Sequence, residues 1–205
     1  MLNPLNQDQQ DTIVELMNIG VGRAAAALSK LVQDEVLLSV PKVDFVDIET
    51  AESRFTELLP VALAGVTQAF DGFISGKAAL IFPEERSLEL VRIVVGHELT
   101  ASEISELEQD TLAELGNILL NSCLATLANI LHREIHTSLP EAYNGNRHTM
   151  LNLLCEQEDS MIMLVQVDFS LLQHELQGYL AFIIDLQTAS NFYSALDEYL
   201  NNLLG

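Results

Sequence analysis

The feature that most limits what this chain can fold into is a pattern that occurs twice. Asp11, Glu15 and Asn18 stand at steps of four and three, and 22 residues separate Asn18 from Pro41. Asp110, Glu114 and Asn117 repeat the steps, and 22 residues again separate Asn117 from Pro140. The offset is 99 throughout. Farther on, Ser75-Gly76-Lys77-Ala78-Ala79-Leu80-Ile81-Phe82 parallels Gln177-Gly178-Tyr179-Leu180-Ala181-Phe182-Ile183-Ile184 at an offset of 102, so three extra residues precede Gly178 in the second copy. The 205 residues therefore read as a duplication, with repeats at about 1–98 and 99–205. We expect a single domain over 1–205 in which two small units share one core.

Each copy has the same coarse grammar. A long helix opens it. Asn3-Pro4 supplies a cap and a first-turn proline, and Ile13, Val14, Met17, Val21, Ala24, Ala25, Leu28, Leu31 and Val32 keep helical spacing. In the second copy the spacing runs through Leu112, Leu115, Leu119, Leu120, Cys123, Leu124, Leu127, Ile130 and Leu131. Three β-like segments follow, about 36–47, 61–71 and 74–83, then about 134–143, 161–169 and 177–185. Stretches such as Val43-Asp44-Phe45-Val46-Asp47-Ile48 and Val165-Gln166-Val167-Asp168-Phe169 alternate as strands with one solvated face do. A shorter helix closes each copy, about 84–97 and 187–203, and an acidic bridge from Leu99 to Glu108 leads into the second long helix. Runs of strands bracketed by helices predict an α+β fold with an antiparallel sheet. The two long helices pack with it, related by a pseudo-twofold, and the small residues from Gly20 to Ala27 permit their close approach. Pro41 and Pro140 read as structural, within or beside the first strand of each copy.

Charge and composition then narrow the function. With 30 Asp+Glu against 9 Lys+Arg the formal charge is −21, which repels a phosphate backbone and an anionic membrane surface alike. A hydrophobic share of 49% supports a real core and excludes wholesale disorder. Cys123 and Cys155 form no disulfide framework and read as small buried side chains in a reducing compartment. Met1 to Gln10 lacks the regions of a signal peptide, and the uncharged stretch from Leu115 to His132 carries three asparagines, a poor membrane span. A soluble cytoplasmic protein is expected, with no nucleic-acid or membrane partner.

At about 100° per residue, Asp11, Glu15, Asn18 and Gly22 fall at about 0°, 40°, −20° and 20°, one narrow stripe beside the apolar face. Asp110, Glu114, Asn117 and Asn121 form the same stripe in the second copy. Acidic residues on a solvated helix face are ordinary, but a mid-helix Asn is not, because its side chain competes for backbone hydrogen bonds. The two copies also agree unevenly: 11–19 and 110–118 share six of nine residues, whereas 20–41 and 119–140 share five of 22. A carboxylate and one amide make a thin metal site, and neither His nor Cys stands near for nucleophilic catalysis. They do suit phosphoryl hydrolysis, which needs positioning more than covalent chemistry. A carboxamide can orient a water against phosphorus, while the carboxylate pairs with a cation on a partner that brings the phosphate and metal.

The motif, Asp or Ser then Glu four later, Asn three later and Pro after 22 more, resembles the CheC / CheX / FliY phosphatases of bacterial chemotaxis. Asn18-Ile19-Gly20-Val21-Gly22 with its alanine run, and Glu114-Leu115-Gly116-Asn117-Ile118-Leu119-Leu120, are most like the CheC branch. The resemblance spans essentially the whole chain and leaves no room for an added FliN-like domain. It implies a hydrolase acting on the aspartyl phosphate of a CheY-type response regulator. By resemblance, Asn18 and Asn117 orient the attacking water, and Glu15 and Glu114 pair with a lysine of the regulator. Asp11 and Asp110 support the contact surface. The protein then has no cofactor or metal of its own, and Mg²⁺ belongs to the regulator.

A different class of function stays open: a non-catalytic scaffold that binds a regulator or the receptor deamidase CheD, a partner type known for the family. A free-standing small-molecule hydrolase lacks a base and a pocket signature. His132 and His136, four apart, read as helix-end residues rather than metal ligands, since Gln33 and Leu37 replace them in copy one. Gly22 facing Asn121 leads us to expect unequal activity from the two copies, without indicating which dominates. Arg23 and Lys30 are candidates for relieving the negative field where an acidic regulator docks, although helix geometry turns both well away from Asn18. Two sites in one chain make a monomer the simplest state.

Overall fold

The computed structural model describes residues 5–32, 35–39, 41–95, 100–154, 160–171 and 174–204. Helix α1, Gln7–Val32, begins at a reciprocal cap: the Gln9 N–H donates to Asn6 Oδ1 and the Asn6 N–H to Gln9 Oε1, both at 2.9 Å. The helix thus starts later than an Asn3-Pro4 cap would put it, and Asn3 and Pro4 lie outside the described residues. The second long helix, α4, Ala101–Ile130, starts earlier than its apolar spacing suggested. Thr100 and Glu103 form a full capping box, which turns most of the acidic bridge into helix. Glu108 is buried there because the Ser87 hydroxyl donates to it.

The element order of the first half recurs in the second. After α1 come β1 (Val36–Leu38), β2 (Lys42–Val46), α2 (Ile48–Leu58), β3 (Ala62–Gly72), β4 (Gly76–Pro83) and α3 (Glu84–Val95). After α4 come β5 (Ile135–Thr137), β6 (Glu141–Asn146), α5 (Arg147–Leu154), β7 (Ser160–Leu171), β8 (His174–Asp185) and α6 (Leu186–Leu204). The segment read as one strand over 36–47 is two, with Pro41 between β1 and β2, and Pro140 falls likewise between β5 and β6. Helices α2 and α5 were not foreseen. Asp47 caps α2 by accepting the Thr50 N–H, and Asn146 does the same for Thr149 at the start of α5.

All strands join one eight-stranded antiparallel sheet in the order β1-β7-β8-β4-β3-β5, with β2 also on β7 and β6 on β3. The short strands of each half therefore pair with the long strand of the other. Registers keep the sequence offset: Val36 faces Leu171 as Ile135 faces Gly72, and Lys42 faces Gln166 as Glu141 faces Thr67. In the central ladder Ala79 faces Ala181, its counterpart at the 102 offset.

Both faces of the sheet are covered. Ala78, Leu80, Phe82, Leu180, Phe182 and Ile184 point into the larger core with α1, α3, α4 and α6. Ala79, Ile81, Tyr179, Ala181 and Ile183 point into a smaller core beneath α2 and α5. The expectation of one solvated face holds roughly for the edge strand β2, with Lys42 and Asp44 exposed, and Gln166 is half-buried between buried Val165 and Val167, but the preceding part of β7, Ile162 through Val165, is buried on both faces. The unforeseen helices are the reason: they cover what would otherwise be the wet face.

Candidate active site

Helices α1 and α4 lie against each other over the larger core, and each places its stripe at the margin of its buried face. The exposure class of every residue from 11 to 21 equals that of its counterpart from 110 to 120. Ile13, Leu16, Met17, Gly20 and Val21 are buried, as are Leu112, Leu115, Gly116, Leu119 and Leu120. Asp11, Glu15, Asp110 and Glu114 are exposed, and Asn18 and Asn117 are half-buried. A buried apolar flank under each asparagine fixes where its amide emerges, while the carboxylate one turn earlier stands free in solvent.

The structure thus gathers Glu with Asn on each helix, but it gives the two asparagines different neighbours. Among the described residues nothing hydrogen-bonds or ion-pairs with the side chains of Glu15, Asn18, Asp110 or Glu114. Asp11 accepts from Gln7 Nε2 at 2.8 Å along its own helix. Asn117 Oδ1 accepts from Asn121 Nδ2 at 2.6 Å, one turn on, and the buried Asn121 Oδ1 has no partner. In the first copy that position is Gly22, which is exposed; a Cβ there would meet nothing within 4 Å.

Packing behind the stripes also differs. A Cβ on Gly20 would come within 2.9 Å of Cys123 Cα, so glycine is what lets α1 approach α4. A Cβ on Gly116 would come within 2.7 Å of Val66 Cβ, so that glycine lets α4 settle on β3. Arg23 donates from Nη1 to Thr126 Oγ1 at 3.2 Å and ties the two helices together, while its charge stays at the exposed surface. Cys123 is buried and its thiol is pushed up to about 12 by desolvation, as expected for an inert core thiol; Cys155 lies outside the described residues. His132 ends α4 in a left-handed conformation (φ 53°), while His136 sits in β5, so the two do not share a helix end. No group of three or more His, Cys, Asp or Glu among the described residues could hold a metal ion.

Among the described residues, a cavity of about 170 Å³ is lined by α4 and α6 residues around His132 and another of about 280 Å³ by residues of β3, β4, β6 and α5 around Gln68; neither includes a stripe residue. One stretch, Glu106–Ile130, is long and apolar enough to cross a bilayer by length and composition; half of its most apolar window is buried inside the protein, as in a core helix.

A carboxylate and an amide presented on an exposed helix, outside either cavity, define a site of the kind that a second macromolecule completes. The comparisons with known proteins agree with that class. The model of the CheC-like family matches residues 9–44, which include Asp11, Glu15, Asn18 and Pro41. The chain is 26% identical over 144 residues to the CheY-P phosphatase CheC of Bacillus subtilis, covering 69% of this chain and 68% of that one. It is 23% identical over 181 residues to the flagellar motor switch phosphatase FliY of the same organism, covering 85% of this chain but only 45% of that one. Among solved structures, Thermotoga maritima FliY aligns with a TM-score of 0.77 at 18% identity, over 96% of this chain and 100% of that one. The CheX–CheY–BeF3–Mg²⁺ complex of Borrelia burgdorferi aligns with a TM-score of 0.53 at 16% identity, over 81% and 96%. The resemblance to CheC, CheX and FliY drawn from the two motifs is therefore borne out, as is the α/β fold with an antiparallel sheet. The FliM middle domain of Helicobacter pylori shares the fold as well, with a TM-score of 0.65 at 9% identity over 93% of this chain and 99% of that one. The fold alone accordingly does not distinguish among these proteins.

Proposed function

We propose that the chain is a protein phosphatase of chemotaxis signalling that hydrolyses the aspartyl phosphate of a CheY-type response regulator. Its single domain is made of two repeats, acts in the cytoplasm and carries two sites, Glu15 with Asn18 and Glu114 with Asn117. The observation that carries this reading is the solvent-facing Glu–Asn pair repeated at an offset of 99 on two helices with matching burial. The names of the CheC and FliY relatives support the substrate, and the CheX–CheY complex supports a regulator that brings its own Mg²⁺.

In this reading a helix docks its stripe over the regulator's phosphoaspartate. Glu15 or Glu114 ion-pairs with a lysine at that site and sets the approach. Asn18 or Asn117 accepts a hydrogen bond from a water and holds it in line with phosphorus. Water oxygen bonds to phosphorus, the bond from phosphorus to the aspartyl oxygen breaks, and the products are inorganic phosphate and free carboxylate. The regulator's metal neutralises charge on the phosphoryl oxygens. Asp11 and Asp110 shape the docking surface.

The test follows the decay of a phosphorylated CheY-type receiver with Mg²⁺ present. We expect acceleration by the unaltered protein and a loss of about 100-fold in the Asn18→Ala/Asn117→Ala variant, the scale for losing a positioned hydrogen-bonding group in a transition state. Stability should fall by about 1–2 kcal/mol at most, since both residues are half-buried and losing Asn117 Oδ1 leaves the Asn121 amide without its partner, so the loss of turnover would not reflect unfolding. Binding without any acceleration would instead identify a scaffold for a regulator or for CheD, the role the FliM likeness leaves available.

A further inference from the structure

The two copies differ at one position within reach of the reacting amide. Asn121 lies one turn after Asn117, and side chains on a helix lean back over the preceding turn, so its carboxamide covers the surface beside Asn117. The 2.6 Å hydrogen bond from Asn121 Nδ2 to Asn117 Oδ1 shows the cover in place. It draws the Asn117 acceptor along its own helix and occupies one of the two lone pairs that a water could use. The other end of the Asn121 amide is buried without a partner, so that amide is held against the protein while it grips Asn117. Rotating that amide alone would set its Oδ1 against Asn117 Oδ1, two acceptors, so the bond requires Nδ2 as the donor. On α1 the same place holds Gly22, open to 4 Å, and Asn18 has no bond among the described residues to hold it.

We infer that the two sites are unequal by construction: Asn18 stands ready for a partner, while Asn121 acts as a positioning residue that withholds Asn117. The inference rests on the phosphatase reading for its consequence, which is that the first copy carries most of the turnover. It also assigns a direction to an asymmetry that sequence alone left open.

The experiment uses the full chain and a purified CheY-type receiver phosphorylated with acetyl phosphate, at saturating receiver. Asn18→Ala should lose at least tenfold in kcat and Asn117→Ala less than twofold. Adding Asn121→Ala to Asn18→Ala should recover at least fivefold, because Asn117 is released. Conversely, Gly22→Asn should depress kcat toward the Asn18→Ala value by placing the same cover on α1. The two manipulations sit on different helices, and neither adds bulk against a neighbour, so a merely structural role would not produce opposite changes in turnover. Equal losses from Asn18→Ala and Asn117→Ala, a larger loss from the second, or no recovery on adding Asn121→Ala would overturn the inference and leave the phosphatase standing. No acceleration by the unaltered protein would overturn the phosphatase reading, and the inference with it.

Discussion

Over residues 11–21 and 110–120 helices α1 and α4 expose the same positions and bury the same positions, yet their neighbours at several of them differ. Gly20 of α1 admits the Cys123 backbone, whereas its counterpart on α4 is Leu119, buried in the core. Gly116 of α4 admits Val66, whereas its counterpart on α1 is the buried Met17. Each helix thus has its close approach where the other has a bulky side chain, and the two fill complementary spaces. Burial class is set by where a helix lies on the sheet and survives large changes of neighbour. Chemistry depends on the neighbours, as Gly22 and Asn121 show. Similar exposure is therefore weak evidence of equal activity.

The comparison can be broken most severely by making the helices alike. Gly20→Leu would drive four side-chain carbons toward the Cys123 backbone, and Gly116→Met would drive a longer chain into Val66. We expect each to cost about 3 kcal/mol or more, at the upper end for overpacking, with Gly20→Leu the worse because main chain yields less than side chain. Urea unfolding with the midpoint and slope compared would read both.

Alkaline stability sharpens the contrast between Cys123 and its counterpart Ala24, where nothing titrates. The folded thiol is raised to about 12 from a reference of 9.0, so the folded state holds the proton more tightly. The resulting stability is fully present below about pH 9 and is lost as the pH climbs toward 12. In a Cys155→Ser background, Cys123→Ala should flatten the fall in stability across that window, and Cys123 should resist a thiol reagent at pH 8 until the protein unfolds.

A smaller effect separates the helix ends. Helix α4 stops in a motif where the Arg133 N–H donates to Ala128 O at 2.9 Å, and the His132 N–H to Asn129 O at 3.4 Å. His132 holds the left-handed position that glycine fills most easily, so His132→Gly should raise stability by about 1 kcal/mol, measurable as a rise in the thermal midpoint.

Much of this was legible in the residues because it obeys a period. The offset of 99 carried the stripe, the two prolines and the order of the main elements, and strand registers turned out to keep it. What was missed breaks a period or depends on a distant partner. Helix α2 is 11 residues and α5 only 8, too short for a spacing pattern to outweigh the strands beside them, and each is signalled mainly by a cap at Asp47 or Asn146. The early start of α4 hid in a Thr-x-x-Glu box inside a stretch that composition marked as linker. The bond from Arg23 to Thr126 crosses the helix interface, and nothing local in the sequence reveals it. Asn121 was noticed as bulk, but its bond to Asn117 required coordinates.

The exchange of short strands between halves also has a consequence in time. Lys42 cannot find its place opposite Gln166 until roughly 120 further residues have been made, which at about 5–20 residues per second is about 6–24 s of synthesis. Throughout that interval β2 has no ladder to join, and β3, once made, lacks its edge until β5 and β6 emerge late in it. The sheet is therefore completed in one late event rather than repeat by repeat, and a chain stalled at its midpoint would present open sheet edges to whatever else is nascent nearby.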